Sequence, residues 1–126
     1  MLEQDNPRRP LRVLVIDDEK NILVTLSMCL ESMGCTVATA ASAPAALQAI
    51  ARQPFDLAFL DLRIREASGL ELLPKLLHES PELAVVVITA YANFDTAVQA
   101  IKGGAMDYLP KPFTPAQIRH QVEQAA

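Results

Sequence analysis

The chain has 126 residues, 51% of them hydrophobic and 21% charged, which suits one core and is too short for two. A formal charge of −4 argues against non-specific nucleic-acid binding, which rests on an excess of Lys and Arg. No apolar run approaches the roughly 18 residues of a membrane span, and the polar start MLEQDNPRRP lacks the apolar stretch of a secretion signal. A cytoplasmic protein is expected, with residues 1–10 as a flexible N-terminal tail. Cys29 and Cys35 form no C-x-x-C pair and read as reduced cysteines in or near the core.

In chain order, residues 11–16 form a β-branched apolar run ending at two acids, a buried strand. Ile22, Leu26, Leu30 and Met33 then recur at helical spacing, and Gly34 closes that helix. A weaker strand follows at 35–40. Ser42 caps a second helix with Pro44 in its first turn and Leu47 and Ile50 inward. Residues 57–62 read as a third strand, and Gly69 precedes a helix with Leu70, Leu73 and Leu77 on one side. The strongest strand is 83–89. A helix over 94–103 is expected to turn Ala97, Val98 and Ile101 inward and to stop at Gly103-Gly104. A short strand over 107–110 and a helix opened by Pro115, with Ile118 and Val122 inward, complete the chain. The alternation is βαβαβαβαβα, and strands apolar throughout imply helices on both faces of a parallel sheet.

The polar residues fall where such strands end. Asp17 and Asp18 follow strand one, Asp61 closes strand three, Thr89 closes strand four, and Lys111 follows strand five. A parallel sheet puts all these ends on one edge, where open α/β folds bind ligands at the reversal of strand order. Singly, an acid there is a helix cap, Thr89 a strand residue and Lys111 a surface charge. Together, three carboxylates repel unless a cation joins them, and an all-oxygen site favours Mg²⁺. With Mg²⁺ on Asp18 and Asp61, Asp61 can act as a nucleophile forming an aspartyl phosphate. Lys111 and Thr89 would meet further phosphoryl oxygens.

These residues resemble the receiver domains of two-component response regulators, the group that includes CheY. The resemblance spans almost the whole chain and rests on VLVIDDEKNI at 13–22, FDLAFLDLRI at 55–64, VVVITAYA at 85–92 and GAMDYLPKPF at 104–113. It implies a flavodoxin-like, doubly wound sheet of strand order 2-1-3-4-5 with five helices, over 11–126. It implies phosphorylation at Asp61 and Mg²⁺ held by Asp18 directly, by Asp17 through water, by Asp61 and by the Arg63 carbonyl. Thr89 with its neighbour Ala90, Tyr108 and Lys111 take the phosphate-binding and switch positions, and Lys111–Pro112 matches the family's cis peptide. The partner implied is a sensor histidine kinase. Dimerisation is expected over the fourth helix, fifth strand and fifth helix, about 94–121, with no membrane or direct nucleic-acid contact. Slow self-dephosphorylation is expected, without substrate turnover.

The stretch TAYANFDTAVQAIKGGAMDYLPKPF looks most like receivers of the NtrC type, which precede ATPase and DNA-binding domains. A receiver cut from a longer transcription regulator is therefore expected, with a stand-alone or phosphorylation-independent interaction module as the alternative. Retention of the acid pair and the lysine disfavours a phosphorylation-independent module. A flavin-binding protein would not carry DDEKN after strand one, and a dehalogenase-type phosphatase would want Asp where Arg63 stands. One departure from the family is IREAS at 64–68 in place of a Met-Pro-Gly-like stretch. Arg65 and Glu66 there read as solvated loop charges. His78 and His120 receive no catalytic role.

Overall fold

A computed structural model describes residues 9–65 and 67–126. The elements are β1 (Arg12–Ile16), α1 (Lys20–Ser32), β2 (Thr36–Ala40), α2 (Ala43–Arg52), β3 (Leu57–Asp61), β4 (Arg63–Ile64), β5 (Ala67–Ser68), α3 (Gly69–Glu79), β6 (Ala84–Thr89), α4 (Phe94–Lys102), β7 (Asp107–Pro110) and α5 (Pro115–Ala125). The main sheet runs β2-β1-β3-β6-β7 and is parallel throughout. Counting its strands alone, this is the expected 2-1-3-4-5 order. Strand order reverses between β1 and β3, so the ends of those two strands flank a crevice.

Alternation along each strand feeds two cores. Leu14, Ile16, Ala58, Leu60, Val85 and Val87 face one side, with Ala46 of α2, Leu72, Leu73 and Leu76 of α3, and Ala100 of α4. Val13, Val15, Leu57, Phe59, Val86 and Ile88 face the other, with Leu26 and Leu30 of α1 and Ile118 of α5. This is the two-faced burial expected of continuous apolar strands.

Local chemistry sets the helix ends. Ser42 Oγ accepts from the Ala45 N–H, Asn93 Oδ1 from the Thr96 N–H, and Thr114 with Gln117 forms a capping box. Gly34 ends α1 at φ 89°, a conformation glycine adopts without penalty.

Two features differ from the sequence expectation. Ile101, expected inward, is 50% exposed, and the small Ala100 is the fully buried residue of α4. That helix carries apolar residues on more than one face, so the spacing of 97, 98 and 101 did not single out its core side. A hairpin, β4–β5, pairs Arg63 with Ser68 and Ile64 with Ala67 where an irregular loop was expected. The expected tail falls outside the described residues up to residue 8, and the Arg9 guanidinium makes paired bonds of 3.1 and 3.2 Å to Asp56.

Candidate functional site

Asp17 leaves the end of β1 with its side chain fully buried, and Asp61 ends β3 nearly so. Asp18 beside them is exposed, and one carboxylate oxygen from each of the three lies within 4.8 Å of the others. Gly69 lets this edge close up: a Cβ there would collide with the carbonyl oxygen of Asp61 and lie 2.8 Å from Leu62 Cα. Lys111 reaches in from the end of β7, with its side chain 9% exposed. Its Nζ donates to Asp17 Oδ2 at 2.9 Å, Asp61 Oδ2 at 3.1 Å and Glu19 Oε1 at 3.1 Å. The Lys111–Pro112 peptide is cis.

Main-chain donors orient the acids. The Glu19 N–H donates to Asp17 Oδ1 at 2.9 Å, the Arg63 N–H to Asp61 Oδ1 at 3.2 Å, and the Arg65 N–H to Asp18 Oδ2 at 2.7 Å. Arg65 reaches this position at φ 58°, and its Nε donates to the Ala41 carbonyl at 3.1 Å. Burial pushes the Asp17 carboxyl up to about 6. The Lys111 ammonium and the Glu19 N–H oppose that rise, and the charge of Asp61 adds to it. Burial alone would lower Lys111, but its hydrogen bonds to Asp17, Glu19 and Asp61 outweigh it and hold the amine above its ordinary value. Three acids thus share one ammonium and Asp18 lies beside them, a negative surplus that suits a hard divalent cation with oxygen ligands.

The sequence matches the response regulator receiver domain family over residues 13–123. The chain belongs to that family. Among its relatives is the alginate biosynthesis transcriptional regulatory protein AlgB of Pseudomonas aeruginosa, 50% identical over 108 residues, which make up 86% of this chain and 24% of AlgB. The chain thus spans about a quarter of the length of the curated relatives it matches. A CheY-like receiver domain from Methanospirillum hungatei superposes with a TM-score of 0.88 at 30% identity, over 92% of this chain and 93% of that one. A Burkholderia pseudomallei response regulator, solved with a phosphorylated aspartic acid, a calcium ion and citrate, gives a TM-score of 0.83 at 35% identity. That match covers 91% of this chain and 73% of the other.

The remaining expected residues of this receiver lie around the same edge. Thr89 is buried and its Oγ1 accepts from the Tyr91 N–H at 3.0 Å, while its hydroxyl proton has no acceptor among the described residues. Ala90 is exposed beside Lys111 at the mouth of a cavity of about 450 Å³. Tyr108 is half-buried on β7, and its hydroxyl meets Thr96 Oγ1 of α4 at 2.6 Å and the Asn93 N–H at 3.4 Å. The Arg63 guanidinium stacks 4.0 Å over the Tyr91 ring centroid. Glu66 lies outside the described residues, and His78 and His120 are exposed on α3 and α5.

Sequence reading missed Glu19, Thr96 and the Arg65 N–H. The run DDEK did offer Glu19 as a third acid, but its meeting with a lysine 92 residues away has no local signature. A backbone N–H carries no side-chain signal at all. Gln121, also missed, is buried on α5 and donates to Asp107 Oδ2 at 2.7 Å, tying α5 to β7.

Proposed function

We propose that Asp61 is the phosphoacceptor of this receiver and that a sensor histidine kinase is its donor. The supporting observation is the Asp61 carboxylate, nearly buried beside two further acids and 3.1 Å from the Lys111 ammonium. An Asp61 oxygen attacks the phosphorus of a phosphohistidine. The O–P bond forms as the P–N bond breaks, and the imidazole nitrogen keeps the electron pair and takes a proton from solvent. Lys111 donates to one phosphoryl oxygen, and the free Thr89 proton points to a second role as donor. Asp17, Asp18, Asp61 and the Arg63 carbonyl would hold Mg²⁺, which supplies positive charge against the transferred group. The same groups admit water slowly to the acyl phosphate, so the domain loses its own label without turning over a separate substrate.

The response travels as a shift between two populated conformations. Thr89 sits at the pocket and Tyr108 bonds to α4, so a change at Thr89 would be felt on the α4–β7–α5 face. That face carries Phe94 at 81%, Ile101 at 50% and Met106 at 36% exposure, which supports a homodimer contact there. The kinship with AlgB supports a transcriptional output from domains following the receiver, where any DNA contact would reside. Acetyl phosphate with Mg²⁺ tests the site. Wild type should gain one phosphoryl group by intact mass and Asp61→Asn none; equal gain in the variant would contradict the assignment.

A further inference from the structure

We infer that Glu19 is a positioning residue that occupies, on Lys111, the place a phosphoryl oxygen must take. The inference rests on Asp61 being the phosphoacceptor. An ammonium has three N–H donors, and Lys111 has three acceptors at 2.9–3.1 Å: Asp17, Asp61 and Glu19. A phosphoryl oxygen on Asp61 therefore reaches a Lys111 proton by displacing one of them. Asp17 is fully buried and doubly held, by Lys111 and by the Glu19 N–H, so its departure would strand a carboxylate in the core. Asp61 carries the incoming group itself. Glu19 is left, its side chain 61% exposed at the rim of the pocket.

A second observation bears on where Glu19 goes. It is the N-cap residue of α1, yet its side chain makes no capping bond, and the first turn of that helix holds no acid. The carboxylate has been drawn away from the helix end toward Lys111. Released, it swings about its own Cα into solvent or toward the first-turn N–H groups, where a negative charge is favourable. Its main-chain N–H stays on Asp17 throughout, so the exchange leaves the pocket intact. Glu19 thereby sets a threshold: it fixes Lys111 before transfer and competes with the phosphoryl group afterwards.

Beryllofluoride, which mimics a phosphoryl group on a carboxylate, tests this at saturating Mg²⁺, with binding read by tyrosine fluorescence. Glu19→Gln removes the charge, and Glu19→Asp keeps the charge but shortens the reach. Both should bind beryllofluoride on the order of two- to fivefold more tightly than wild type, the span expected for losing an exposed ion pair. The aspartyl phosphate formed from acetyl phosphate should last longer by a similar factor. Wild-type affinity in Glu19→Gln would overturn the inference. So would a tight Glu19→Gln beside a wild-type-like Glu19→Asp, because the effect would then be through-space repulsion rather than exchange on Lys111. A wild type that takes no phosphoryl group at Asp61 would overturn the phosphoacceptor reading, and the inference with it.

Discussion

Asp56 and Asp17 sit on the same sheet at opposite edges and carry opposite electrostatics. Asp56, just before β3, accepts two bonds from Arg9 and one from the Arg12 N–H at 2.8 Å. Burial alone would raise its pKa, but Arg9 and Arg12 outweigh burial and hold it below the ordinary carboxylate value. Asp17, just after β1, is fully buried beside two further acids and sits near 6. One acid has all the partners it needs and ties strand ends together. The other is left under-compensated, and that deficit marks this edge of the sheet as the candidate site. A carboxylate at a strand end therefore becomes a functional candidate through what surrounds it.

The largest expected effect comes from removing the shared cation. Lys111→Ala leaves Asp17 and Asp61 without their ammonium, and breaking a buried pair costs about 3–5 kcal/mol. In urea unfolding without metal, the loss should be greatest above pH 7 and smaller near pH 5, where Asp17 takes a proton instead. A uniform loss at both pH values would mean that packing, not charge, sets the cost.

The two acids should then separate by pH. The folded pKa of Asp17 lies above its ordinary 3.8, so the folded state holds the extra proton. Its contribution to stability therefore falls as pH rises from about 4 to about 6, by at most roughly 3 kcal/mol. Asp56 is depressed, so its contribution is present above its ordinary value and fades as pH falls below it. Metal-free wild type should lose stability relative to Asp17→Asn between pH 4 and 6, and gain relative to Asp56→Asn as pH rises through the acid range. Parallel curves for the two variants would erase the distinction. Mg²⁺ should bind more weakly below pH 6, because a protonated Asp17 no longer adds its negative charge to the acidic cluster.

Smaller effects probe the neighbouring bonds. Gln121→Leu breaks the bond to Asp107 and removes an Oε1 that is buried without a hydrogen-bond partner among the described residues. These changes oppose each other, so the loss should stay near 1 kcal/mol in chemical denaturation. Arg65→Gly should change stability least. It relieves a positive φ worth about 0.5–1 kcal/mol and gives up the bond to Ala41, while the main-chain bond to Asp18 remains.

The strands and the order of their polar ends were legible because each has a local cause, a β-branched run and an acid at its end, whereas the cis bond before Pro112 was expected only from the family resemblance. The face of α4 was not, since Ala100 is buried through close approach to the sheet while the larger Ile101 stays outside. Gln121 carried no signal in the sequence because its partner Asp107 lies on another element. The β4–β5 hairpin escaped notice because its turn places an arginine at positive φ, a position usually announced by Gly or Asn.

The most direct measurement is to phosphorylate the protein with acetyl phosphate and Mg²⁺, reduce the acyl phosphate with borohydride, and map the modified residue by peptide mass spectrometry. The expected result is reduction at Asp61 alone. Reduction at Asp17 or Asp18, or none in a protein shown to be folded, would contradict the phosphoacceptor assignment.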